Sequence, residues 1–325
     1  MTNRTGWPLR LRNRSIYRRI RFFSKIWIAH QRKVIPKHSG SNGILALLLV
    51  SESGIPKEPN PRLSLVALGA SSVDALLAHA IQSFEGATRL LTFQGGNPLP
   101  WSAMVLARTA LEASLKIDYL LEIPFDRDEK LARFAALAFE DLNEHKLRHR
   151  DLGGGFQAEA LAANAERKME LESLLDSVGM TVEWGLRGSG NVVTSKGRKA
   201  PFPLKTTTLA NDFDQQLGLF YYRWLCTFTH ASPFTPQKPG TMVAAVREED
   251  LLAVFALITR VLKRALDAYG IWAGIPAGLA RWALGRVSGI LARRGSTLNL
   301  RNIKAAEPSA LGNRADDNVP NINLD

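Results

Sequence analysis

The stretch WSAMVLARTALEASLKIDYLLE, residues 101–122, reads as a single apolar helix. Pro100 suits its first turn, where a missing N–H costs nothing, and Pro124 ends it. Inside it Arg108 and Glu112 stand four residues apart in RTALE. A buried arginine needs a partner, because an unpaired buried charge is costly. The spacing therefore predicts an Arg108–Glu112 ion pair on one helix face.

Helical periodicity continues on both sides. Upstream, Leu65, Leu68, Val73, Leu76, Leu77, Ala80, Ile81 and Phe84 recur at three- and four-residue spacings over 63–93, and GGNP at 95–98 stops the run. Downstream, Asp126 or Asp128 can cap a third helix that runs to about Arg150, before the glycines at 153–155. Residues 156–178, rich in Ala, Leu and Glu, make a fourth. Residues 179–206 break the pattern with glycines, prolines and β-branched residues, which predicts a long loop with at most a short hairpin. A fifth helix is expected at about 207–231 and a sixth at about 247–272. Pro276 starts a shorter basic one that ends at Arg293-Arg294. The fold class is all-α: a helical bundle over 63–294 with one long irregular insertion. Residues 1–62 form a basic amphipathic arm and a proline-rich linker, SESGIPKEPNPR, and the polar residues 295–325 form a disordered tail.

The chain of 325 residues carries a formal net charge of +12. Residues 1–38 hold eleven arginines and lysines and no acid, so the rest of the chain is nearly neutral. Within the arm, Ile16, Ile20, Phe23, Trp27 and Val34 mark an apolar stripe between basic residues. Such a helix suits nucleic acid or a membrane surface, unless it is only a solvated arm packed loosely on the body. A single cysteine, Cys226, excludes an internal disulfide and a multi-cysteine zinc site, and it fits a reducing cytoplasm. No run reaches the roughly 18 consecutive apolar residues of a membrane span, so the expectation is a soluble protein.

The candidate chemistry is sparse. RGSGNVVTSKGRK lacks the spacing of a phosphate loop, but Arg187, Lys196, Arg198, Lys199 and Lys205 make the insertion basic enough to touch nucleic acid. His145 and His149 are four apart, yet HKLRH is flanked by cations, which favours a solvated face over a metal site. No metal and no cofactor are expected. In YYRWLCTFTH, Arg223 and His230 are separated by about 700° of helical rotation and share a stripe. An arginine can hold phosphate oxygens and a histidine can exchange a proton near neutral pH, which suffices for metal-free RNA cleavage by the 2′-hydroxyl. The structural alternative is an arginine in packing and a histidine closing a helix C-terminus. Thr227 and Thr229 lie near enough to orient either group.

The R-x6-H spacing at the end of an apolar helix resembles the R-x4-6-H signature of the HEPN superfamily of prokaryotic helical-bundle proteins. AHAIQSFEGATRLL and MVLARTALEASLKIDYLLE are similar to a related bacterial family of unknown function, with an early R-x3-E helix and a late Y-x-x-x-C/S-x-x-x-H helix. The resemblance covers about residues 65–265 and implies a bundle that is often dimeric, with Arg223 and His230 as the catalytic pair. Many HEPN proteins are metal-independent ribonucleases of toxin–antitoxin or defence systems, encoded beside a neutralising protein, and others are non-catalytic. Active members place a polar residue directly after the arginine. Trp224 stands there in this chain, and it points toward the alternative of a non-catalytic scaffold that binds a protein partner.

Overall fold

A computed structural model describes residues 17–27, 61–91, 100–122, 126–150, 155–185, 191–215, 217–229, 248–273 and 278–297. Among them are nine helices and one small sheet. The helices are α1 (17–27), α2 (Pro61–Leu91), α3 (Pro100–Leu120), α4 (Arg127–Arg150), α5 (Gly155–Ser177), α6 (Thr206–Phe213), α7 (Gly218–Thr229), α8 (Glu248–Ala273) and α9 (Gly278–Thr297). The strands are β1 (Met180–Glu183), β2 (Asn191–Ser195) and β3 (Arg198–Phe202). The chain is an all-α helical bundle with a single insertion, as its sequence pattern predicts. Of the tail expected over 295–325, residues 295–297 still belong to α9, and the rest lies outside the described residues.

The bundle is built around α3. No residue from Ala103 to Leu121 is exposed. Helices α2, α4, α6, α7 and α8 all touch it. The helix starts at Pro100, as expected, and α4 starts where Asp126 Oδ1 accepts the Glu129 backbone N–H at 3.0 Å. That is an N-cap: a side-chain oxygen takes one of the four N–H groups a helix start leaves unpaired. By length and composition α2 could cross a bilayer over Ser64–Leu91, but its Leu65, Val66, Val73, Leu77, Ile81 and Phe84 are buried in the bundle core. Gly69 lets α2 and α4 close, because a Cβ there would lie 2.2 Å from the Phe134 ring.

Three local readings change. First, the insertion is an ordered three-stranded antiparallel sheet in the order β1-β2-β3, where a loop with at most a hairpin is expected. Lys196 (φ 46°) and Gly197 (φ 79°) both take the left-handed backbone that two-residue hairpin turns require. Val193, Ser195, Ala200 and Phe202 alternate inward, and Phe202 stacks on Phe139 of α4 at 5.4 Å. Secondly, the helix expected over 207–231 is two helices. Asp214 breaks it: its carbonyl accepts from Gly218 N–H at 2.8 Å and its Oδ1 from Leu217 N–H at 2.9 Å. A Cβ on Gly218 would lie 2.0 Å from the Ala210 carbonyl oxygen, so only glycine allows this corner. Arg260 of α8 pins it through Asp214 at 2.9 Å.

Thirdly, part of the expected arm is inside the core. Tyr17, Ile20, Phe23, Ser24 and Trp27 of α1 are all buried. Tyr17 meets Phe255 edge-to-face at 6.2 Å, Trp27 meets Tyr269 at 5.8 Å, and the Ser24 hydroxyl donates to Glu85 of α2. The apolar stripe that could lie on a membrane surface is thus covered by α2 and α8 over 17–27. Large-to-small changes at buried aromatics cost about 3–5 kcal/mol. Trp27→Ala is accordingly expected to lower the unfolding free energy of the whole bundle by about that much in a urea titration. A loosely attached arm would leave the titration unchanged.

Candidate functional site

The strongest polar constellation lies where α7 crosses α3. Arg108 Nε donates to Glu112 Oε1 at 2.7 Å, which is the expected pair. Tyr222 of α7 closes the arrangement. Its hydroxyl donates to the same carboxylate oxygen at 2.9 Å, and the second Arg108 nitrogen reaches that hydroxyl at 3.5 Å. The guanidinium also sits 5.6 Å from the centre of the Tyr222 ring. Cys226, one turn further along α7, is half-buried.

The electrostatics follow from this geometry. Burial, and then the Glu112 carboxylate, push the Tyr222 hydroxyl up to about 12. Burial works against the charge on Arg108, and the hydrogen bond and charge of Glu112 more than offset it, so its pKa rises. At neutral pH the cluster is a cation, an anion and a neutral hydroxyl that donates. Such a phenol is a hydrogen-bond donor and not a base.

The other candidate residues fall in different surroundings. Arg223 is exposed on α7, a quarter-turn round from Tyr222, and no described residue forms an ion pair or hydrogen bond with its guanidinium. Trp224 is half-buried and packs edge-to-face on Phe228 at 4.8 Å and Tyr221 at 6.4 Å. The Thr227 hydroxyl donates to the Trp224 carbonyl at 2.7 Å, which ties it to its own helix. Thr229 is exposed at the last position of α7. His230 lies outside the described residues, as does Arg187.

Three cations of the basic insertion lie against carboxylates. Lys196 pairs with Asp128 at 2.8 Å, Arg198 with Asp126 at 3.2 Å, and Lys199 approaches Glu183 at 3.8 Å. Lys196 and Arg198 thereby hold the hairpin to the start of α4, and Lys199 stays within the sheet. Lys205 is exposed in the extended residue before α6. No group of three or more potential metal ligands occurs among the described residues.

Residues 73–238 match the model of a family of unknown function, DUF5677. The chain belongs to that family. The family region holds both sides of the cluster, Arg108 and Glu112 on α3 and Tyr222 on α7, together with the whole sheet. Helices α1, α8 and α9 lie outside it. No curated protein and no solved structure matches the chain.

Tyr222 is the member of the cluster that the candidate residues omit. Its signal was present in the helical spacing: Tyr222 and Cys226 are one turn apart and share a stripe. The raised hydroxyl gives a direct check. A tyrosine that stays protonated in the folded state favours folding fully below the ordinary value of 10.0, and that contribution is lost as pH rises toward about 12. The difference between wild-type and Tyr222→Phe ultraviolet titrations should therefore have its midpoint near 12, against 10.0 for an ordinary tyrosine. At neutral pH the same variant is expected to lose about 1.5–3 kcal/mol of stability with the hydrogen bond to a charged group.

Proposed function

We propose that the protein is a HEPN-like RNA-binding protein that cuts RNA without a metal, as a member of a toxin or defence system in a bacterial cytoplasm. The observation that carries this reading is Arg223, an exposed arginine with no ion-pair or hydrogen-bond partner among the described residues, on the helix that ends just before His230. Arginine binds phosphate oxygens through two parallel hydrogen bonds and stabilises the charge that builds on them. On a continuous helix a seven-residue separation amounts to about 10 Å along the axis, a gap that long arginine and histidine side chains shorten around one phosphodiester.

In this reading His230 takes the proton of a ribose 2′-hydroxyl as its oxygen attacks phosphorus. The new bond from the 2′-oxygen to phosphorus closes a 2′,3′-cyclic phosphate, the bond from phosphorus to the 5′-oxygen breaks, and that oxygen leaves with a proton taken from water. Arg223 holds the phosphate throughout. Arg108 and Glu112 support the site indirectly, by fixing Tyr222 and hence the rotation of α7 on α3. Thr229 is exposed and stays available beside the pair, whereas Thr227 is bonded to its own helix. A second copy of the chain and a neutralising protein are the partners this reading brings with it.

One observation favours a second reading, a non-catalytic scaffold that docks a partner protein. Trp224 fills the position after Arg223 with an indole packed on Tyr221 and Phe228, where active HEPN proteins present a polar group. RNA cleavage in the presence of a chelator separates the two. The ribonuclease reading expects cleavage by the wild type, a fall of about 10²–10⁴ in rate for His230→Ala, and one of about 10²–10³ for Arg223→Ala. A wild type that cuts none of a panel of single-stranded and structured RNAs establishes the scaffold instead. Equal rates for wild type and His230→Ala remove that histidine from the mechanism.

A further inference from the structure

Two groups of exposed cations among the described residues differ in one respect. Those of the β2–β3 hairpin are paired with carboxylates. Those on the outer face of α1 are not. Arg18, Arg21 and Lys25 are exposed, and no described carboxylate pairs with any of them. Around the helix they fall within about 60° of one another, and the half-exposed Phe22 lies on the same stripe. Arg18 and Lys25 are separated by about 10 Å along the axis. The opposite face of α1 is fixed in the core by Tyr17, Phe23 and Trp27, so the ridge is held rigidly on the bundle.

From this arrangement we infer that the outer face of α1 is a docking ridge for single-stranded RNA. The three cations follow the sugar–phosphate backbone and Phe22 stacks on a base. The inference rests on the RNA-binding reading and adds a second contact to it, on a different helix. Charge complementarity selects an anionic partner. The choice between RNA and an anionic bilayer follows from the inner face. An interfacial helix buries its apolar stripe in lipid, but here that stripe is spent on the protein core, and only Phe22 among its large apolar side chains is left exposed. One aromatic among cations is instead the pattern of single-strand binding, in which cations neutralise phosphates and an aromatic face carries a base. The cations are preordered, so they bind without first folding an arm.

The test uses the full chain and a labelled oligouridine, with binding followed over a salt series. Neutralising Arg18, Arg21 and Lys25 together to glutamine removes up to three phosphate contacts. The dependence of log K on log salt is expected to flatten by about 2, from about 0.7 per phosphate on a single strand. Phe22→Ala is expected to weaken binding about 5- to 100-fold with the salt slope unchanged. All four side chains point outward, so thermal unfolding should match the wild type, and Arg18→Gln alone, with a slope change of about 0.7, serves should the triple variant not fold. RNA binding with wild-type slope in the charge variants and wild-type affinity in Phe22→Ala overturns the ridge and leaves the RNA-binding reading standing. A wild type that binds no oligouridine overturns both. Phosphatidylserine vesicles bound by the wild type and released by the triple variant, with RNA binding unchanged, overturn the inference in favour of a membrane.

Discussion

Enclosing α3 is the constraint on which the rest of the structure depends. A helix with no exposed residue from Ala103 to Leu121 leaves every polar side chain in that span to be satisfied inside the protein. The Thr109 and Ser114 hydroxyls donate to carbonyls of α3 itself, and the charged groups are met by three neighbouring helices. Arg108 and Glu112 meet Tyr222 of α7, Lys116 meets Glu140 of α4 at 2.7 Å, and Asp118 meets Arg264 of α8 at 2.7 Å. The Glu140 carboxylate passes the connection onward, since its other oxygen accepts from the Leu204 N–H at 2.8 Å where the sheet returns to α6. Apolar packing restricts helix crossing only to broad classes with a scatter of about 15–20°. These pairs set one rotation for each neighbouring helix.

The energetic worth of the pins differs. Burial drives Asp118 up to about 6, so its charged form is held at a cost that Arg264 only partly offsets. That pair contributes specificity of register more than stability. The α7 pin combines two hydrogen bonds to a carboxylate with a ring under a guanidinium, and it is only partly shielded from water. It therefore combines a net gain with a fixed geometry. On the outer side of α7, the rotation set by Tyr222 presents Arg223 to solvent.

Much of this was legible from residues whose chemistry allows one conformation. Pro100 opens α3, Asp126 caps α4, and the glycines and prolines between runs separate the helices. The Arg108–Glu112 pair was legible because spacing four on an apolar helix leaves little else for an arginine to do. What could not be read depends on contacts distant in sequence. The stripe of α1 looks the same whether a bilayer, solvent-exposed packing or a protein core covers it, and only Phe255 and Tyr269, more than two hundred residues away, decide. The break at Asp214 carries no proline, and Gly218 marks it only through the Ala210 carbonyl it approaches. The insertion reads as basic because its lysines and arginines are adjacent in sequence, while Asp126 and Asp128, which neutralise two of them, sit some seventy residues earlier.

The claim that one shared carboxylate couples α7 to α3 is tested most directly by a double-mutant cycle between Glu112→Gln and Tyr222→Phe, read as unfolding free energy. Residues in one hydrogen-bonded network interact by about 0.5–3 kcal/mol beyond the sum of their single effects. A coupling in that range is the expected result. Additive effects, with a coupling indistinguishable from zero, would contradict it.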